Sequence, residues 1–137
     1  MRAFALFAAL SIGLASPARA ADDVAAARTV IQSQVEALGH DDAAAAYSYA
    51  APVIQGMFPQ ADVFLLMVQQ GYAPVYRHKS FEFGEARVSD GKIAQRVHIV
   101  DADGVPWEAL YTLEIEPDGE IRVRIVELDE LGARVRD

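Results

Sequence analysis

The chain contains no cysteine, one tryptophan and three histidines in 137 residues. Without cysteine there can be no disulfide, thiolate nucleophile, Cys-x-x-Cys redox pair or Cys-ligated metal, so stability has to come from packing. Basic residues are scarce too, with 12 Lys and Arg against 20 Asp and Glu and a net charge of −8. A surface this acidic repels phosphate backbones and anionic headgroups, which excludes nucleic acid as an expected partner. There is one long apolar run, Ala3 to Ala15, interrupted by Ser11 and Gly13. It is shorter than the roughly 20 residues a lasting membrane span needs. His-Glu-x-x-His, a Gly-rich phosphate loop and Gly-x-Ser-x-Gly are all missing, so metalloprotease, nucleotide-binding and esterase readings lack support.

What is present begins with an export pattern. Met1-Arg2 supplies a positive start, the apolar run follows, and Ala18-Arg19-Ala20 is a small-x-small cleavage site. The expected division is a signal peptide over 1–20, one α+β domain over 21–128 and a polar C-terminal tail over 129–137. The expected location is periplasmic or secreted, with no stable membrane anchor. Removing Met1 to Ala20 takes Arg2 and Arg19 and no acid, leaving 10 bases against 20 acids and a net charge of about −10. A chain of this length can bury roughly 65% of its unfolded surface as one domain.

The first half has helical spacing. Val24, Ala27, Ile31, Val35 and Leu38 form one apolar stripe, capped by Asp22 or Asp23 and stopped by Gly39. An aspartate before Ala43 to Ala46 caps a second helix through Tyr47 and Tyr49, which Pro52 is expected to end. A third helix is predicted from Asp62 to Gln70, with Gly71 as its stop and Val53 to Pro59 as an irregular turn before it.

After Pro74 the apolar residues alternate. Four strands are predicted at about Phe81 to Val88, Ile93 to Val100, Val105 to Glu116 and Ile121 to Leu128, separated by three Asp-Gly turns. Such short connections make the strands antiparallel neighbours. Three-residue loops at Ala102-Asp103-Gly104 and Pro117-Asp118-Gly119 place Ile99 opposite Trp107, His98 opposite Glu108, Leu113 opposite Val123 and Thr112 opposite Arg124. One face then carries Ile93, Val97, Ile99, Trp107, Ala109, Tyr111, Leu113, Ile115, Ile121 and Val123, and must receive the helices. The other face sets Arg96, His98, Glu108, Glu114, Arg122 and Arg124 around Leu110 and Val126. The alternation slips between Phe83 and Ala86, which places a bulge at Gly84-Glu85.

Three helices followed by a curved four-stranded antiparallel sheet resembles the cone-shaped nuclear transport factor 2-like fold. More specifically, Ile31-Gln32-Ser33-Gln34, Asp41 to Ser48, Gly71-Tyr72-Ala73-Pro74-Val75-Tyr76-Arg77, Phe83-Gly84 and Asp101-Ala102-Asp103-Gly104 are similar to a bacterial family catalogued as domain of unknown function 4864. His78 stands where that pattern leads one to expect proline. The resemblance implies fold and export and supplies no activity.

Enzymes of the cone-shaped fold place a carboxylate or histidine among aromatics inside the cone. Here the interior polar candidates on the strands are Gln95 and the Tyr111 hydroxyl, with Tyr47 beside them and Trp107 on the same face. Paired core groups are the commoner role for such residues. The pair His98 and Glu108 falls on the outer face, where a cross-strand ion pair is the expected role. His40 and His78 fall in predicted loops without a fixed partner. Asp101-Ala102-Asp103-Gly104 starts like a calcium loop but has Thr112 where the bidentate acid should stand, so a plain hairpin is expected. Tyr72, Tyr76 and Arg77, with His78 and Lys79, gather as a rim able to meet a ligand or partner.

The function expected is a noncatalytic exported module for a small ligand or protein, with Tyr47, Gln95, Trp107, Tyr111, Tyr72, Tyr76 and Arg77 as binding residues. No cofactor or metal is expected. The ligand is a small apolar or anionic molecule, and a homodimer through the outer sheet face is the expected assembly. The alternative is a small hydrolase, isomerase or dehydratase using the cone interior.

Overall fold

The computed structural model describes residues 17–132. Five helices come first: α1 (Pro17–Gly39), α2 (Ala43–Ser48), α3 (Pro52–Met57), α4 (Ala61–Gly71) and α5 (Ala73–Tyr76). Strands β1 (His78–Ser89), β2 (Lys92–Asp101), β3 (Pro106–Ile115) and β4 (Ile121–Glu130) then form one antiparallel sheet in the order β1-β2-β3-β4. The helices pack on one face of this curved sheet, an α+β arrangement.

Helices α1, α2 and α4 are the three expected, and α3 and α5 are additional. Pro52 does not end α2. It opens α3 as its first residue, where a missing N–H costs nothing and the fixed φ suits a helix. Pro74 does the same in the first turn of α5, turning the expected crossover into a short helix with Pro74 and Val75 buried. Asp42 caps α2, its carboxylate accepting the Ala45 N–H at 3.1 Å. Met1 to Ser16 of the expected export signal lie outside the described residues, and Pro17 to Ala20 form the first turn of α1. The innermost residues of α1 are Ala27, Ile31, Gln34 and Leu38, so its face is rotated from the expected stripe and Val24 and Val35 are only partly buried.

The hairpins follow the turn chemistry. Between β1 and β2 the loop is the two residues Asp90-Gly91, both at positive φ (51° and 73°), the backbone that matches strand twist. The β2 to β3 register places Ile99 against Trp107 and His98 against Glu108. The bulge in β1 lies between Phe83 and Ala86.

A second bulge was not anticipated. Leu113 pairs with Val123, but Thr112 pairs with Ile125, leaving Arg124 as the extra residue. The phase of β4 therefore flips, and Val126 stands opposite Tyr111 and packs against the core instead of joining Leu110 outside. The outer face keeps Leu110 among charges that pair within the chain, Arg96 with Glu108 and Arg124 with Glu114. Strand β4 also runs into the expected tail, because Asp129 and Glu130 complete the ladder opposite Glu108 and Trp107. Among the described residues, no helix is long and apolar enough to cross a membrane.

Candidate functional site

The free edge of the sheet is partly covered at Val123, beside the β4 bulge. The Ala51 N–H donates to the Val123 carbonyl and the Val123 N–H to the Tyr49 carbonyl, each at 2.8 Å, so the α2 to α3 link joins β4 in a short parallel bridge. Helix α3 then contacts β4, while α4 packs against α2 and α5, and α5 against β2. Between these helices and the sheet lies a cavity of about 240 Å³. Tyr111, Val123 and Val126 line it from the sheet, and Gln34 and Leu38 from α1. Phe64, Met67 and Val68 of α4 line it with Tyr72 and Val75. Its solvent side is marked by Met57 of α3, 66% exposed, and Ile125 of β4, 44% exposed.

The wall is almost entirely apolar. Its charged member is Arg124, already paired with Glu114. Gln34 is buried, and its amide donates to the Ala46 carbonyl at 3.2 Å, which holds α1 to α2. The Tyr111 hydroxyl is the exception to this satisfied chemistry: it is buried and has no hydrogen-bond partner among the described residues. Burial pushes its pKa well above the ordinary phenol value, so it stays protonated and is no base at neutral pH. The lining contains no carboxylate and no histidine.

Of the residues singled out from sequence, Tyr111 and Tyr72 line this cavity, and five others stand elsewhere. Gln95 is fully buried under α1 at the β1 bulge. Its amide donates to the carbonyls of Gly84 at 3.0 Å, Glu85 at 3.3 Å and Arg96 at 2.7 Å, and its oxygen accepts the Arg28 Nε at 2.9 Å. A bulge frees carbonyls from the ladder, and Gln95 with Arg28 satisfies them. The Trp107 indole donates to Asp101 Oδ2 at 3.0 Å. Asp101 Oδ1 accepts from the Asp103 and Val105 amides, both at 2.9 Å, so this carboxylate is occupied by its own hairpin. The Tyr47 hydroxyl binds the α3 end, and its ring meets Phe64 edge-on at 5.6 Å.

Tyr76 and Arg77 form a separate cluster. The Tyr76 hydroxyl donates to Asp41 and accepts from Gln69, while the Arg77 guanidinium lies 3.8 Å from the Tyr76 ring centre and 3.5 Å from the Asp41 carboxylate. These contacts fasten α5 to the turn after α1, where Asp41 adopts a positive φ of 54°. His98 Nε2 is 3.5 Å from Glu108 Oε2 on the outer face. His78 is the first residue of β1 rather than a loop residue, with Nδ1 3.3 Å from the Pro74 carbonyl oxygen. Glu36 and Asp62 are both exposed. Among the described residues, no group of three or more His, Asp or Glu side chains is placed to hold a metal.

Sequence reasoning missed Gln34, Met57, Arg124 and Ile125. For the last two the sequence shows a change of apolar parity between Ile125 and Val126 in Ile121-Arg122-Val123-Arg124-Ile125-Val126-Glu127-Leu128, which does not by itself locate the bulge at Arg124.

No curated protein matches the chain. A crystal structure described as that of a "known function protein" from Kribbella flavida DSM 17836 is 13% identical over 80% of this chain and 92% of that one, with a TM-score of 0.44. The family model described as domain of unknown function (DUF4864) matches residues 20–133, and the chain belongs to that family.

Proposed function

We propose that the protein is an exported, noncatalytic binding module that holds a small, mainly apolar ligand in the cavity between α1, α3, α4 and the bulged end of β4. The observation that carries this reading is an apolar cavity of about 240 Å³ between the helices and the bulged strand, with Met57 and Ile125 at its solvent side. Burying apolar ligand surface there releases water at roughly 25 cal/mol per Å². A predominantly apolar wall is the usual composition of a small-molecule site. In the same reading the layout is the nuclear transport factor 2-like cone, with this cavity as its interior. The Met1 to Ala20 pattern supports export to the periplasm or beyond.

The alternative, a hydrolase, isomerase or dehydratase, needs a proton acceptor near the substrate. The lining offers a protonated phenol and a paired arginine in its place, which favours binding over turnover.

Native mass spectrometry of protein purified from its own periplasm tests the reading, with Val68→Phe as the control because Val68 lines the cavity and a phenyl ring would fill it. A small-molecule adduct on the wild type that is lost in Val68→Phe is expected. The same adduct on both proteins, or none on either, contradicts it.

A further inference from the structure

Strand β4 ends the sheet, so one of its edges has no neighbouring strand. The Leu131 N–H donates to the Pro106 carbonyl oxygen at 3.0 Å, which makes Pro106 and Leu131 a bonded pair of the antiparallel ladder. Bonded and non-bonded pairs alternate along such a ladder. Glu130, Leu128 and Val126, opposite Trp107, Ala109 and Tyr111, are therefore non-bonded residues, and their N–H and C=O groups point away from β3 toward the open edge. On the other side of the bulge, the Glu116 N–H bonds to Glu120, so Val123 is an outward residue by the same alternation. Its two outward groups are taken by Tyr49 and Ala51. Among the described residues, no backbone group does the same for Val126 or Leu128. The edge thus pairs with a chain segment at Val123 and offers an unfilled template from Val126 to Glu130.

Side chains decide what suits that template, because successive residues of a strand face opposite sides. Val126 and Leu128 pack against the core on the helix side, while Glu127 is exposed on the outer face, which it shares with Asp129. From Glu127 to Glu130 the strand carries three acids and no base. A second copy laid along this edge would bring acid to acid in a protein of net charge −8, which opposes self-pairing. A strand with basic residues on the Glu127 face and apolar residues beside Val126 and Leu128 gains cross-strand ion pairs and apolar burial together.

We infer that the open edge of β4, from Val126 to Glu130, docks an extended segment of a partner protein that alternates basic and apolar residues, which joins the sheet as a fifth strand. The contact is made by the backbone of β4, and it does not depend on whether the cavity holds a ligand.

Two capped synthetic peptides of about six residues, the common strand length, test it: one alternates lysine and valine, the other glutamate and valine. Dissociation constants from NMR titration and amide hydrogen exchange are measured on wild type and on Glu127→Lys, whose exposed side chain is replaced without disturbing the core.

In the free wild type, the Val126 and Leu128 amides should exchange rapidly, and those of Glu127 and Asp129, which face β3, slowly. Saturation with the lysine peptide should slow exchange at Val126 and Leu128 by about tenfold or more. The glutamate peptide should bind the wild type about tenfold more weakly, the effect of turning cross-strand attraction into repulsion, and this preference should disappear in Glu127→Lys. Protection of Val126 and Leu128 already in the free protein would mean that the chain itself fills the edge, and overturns the inference. Protection that grows with protein concentration alone marks a second copy and overturns it as well. So do equal affinities for the two peptides, absence of lysine-peptide binding, or binding that leaves both amides unprotected.

Discussion

The Tyr47 hydroxyl donates to the Phe58 carbonyl oxygen at 2.6 Å, and so ties α2 to the end of α3, the helix that carries Met57 over the cavity. The same hydroxyl lies 3.1 Å from the Gln55 carbonyl, while the Gln55 amide returns to the carbonyls of Tyr47 and Ala50. Helix α3 has no buried residue, so these polar contacts carry much of its attachment. Tyr47→Phe should therefore lower stability by about 1 kcal/mol and leave the fold intact. Hydrogen exchange should accelerate at Ile54 and Gln55, whose amides donate to the Ala51 carbonyl at the cap of this helix, and remain unchanged in β2.

Gln95 is expected to act on the fold and not on ligand. Gln95→Leu would strip the Glu85 carbonyl and the Arg28 Nε of their partner, while the Gly84 carbonyl keeps the Arg28 Nη2 donor at 3.1 Å. A loss of about 2–4 kcal/mol is expected from urea denaturation, since a buried acceptor and a charged donor lose their hydrogen bonds together. Because Gln95 is absent from the cavity lining, the affinity of the folded variant for a small apolar probe such as toluene should be unchanged.

Asp101 should contribute to acid sensitivity. Its pKa is lowered first by the hydrogen bond from Trp107 and next by that from the Val105 amide, so its carboxylate is ionised more readily in the folded chain than in the unfolded one. A depressed folded pKa gives stabilisation that is complete above the unfolded value of about 4 and disappears as pH falls through the folded value. Melting temperatures of wild type and Asp101→Asn should converge as pH drops from about 5 to about 2. A constant difference across that range would place the origin of any effect elsewhere.

Much of this arrangement was legible in the chain because hairpins encode their own geometry. Asp-Gly turns and strict alternation set the β2 to β3 register down to His98 opposite Glu108, and the broken alternation after Phe83 located the first bulge. Helix α3 was missed because Pro52 serves equally as a stop for α2 and a start for the next helix, and local sequence does not separate those roles. The β4 bulge was missed because Ile125 and Val126 are both apolar, so alternation alone could be continued on either face. That single parity error placed Val126 outside and concealed the cavity. The site could not be assembled from sequence because it requires α1, α3, α4 and β4 together, and packing rather than spacing sets their angles.

The Tyr111 hydroxyl itself yields a stability prediction. Removing an orphaned buried polar group relieves its desolvation cost, so Tyr111→Phe should leave stability unchanged or raise it by about 1 kcal/mol. A loss of more than about 1 kcal/mol would show that the hydroxyl already has a partner, such as a bound water.

The central claim, that this cavity receives a small apolar molecule, is tested most directly by a methyl-resolved NMR titration of the wild type with toluene, which has no acceptor oxygen. The largest shifts are predicted at Ile54, Val68, Val123 and Val126, which line the cavity, with Val88 and Ile93 unmoved because they lie outside it. Shifts centred on Val88 or on Leu110 of the outer face, or no saturable shift anywhere, would contradict the account.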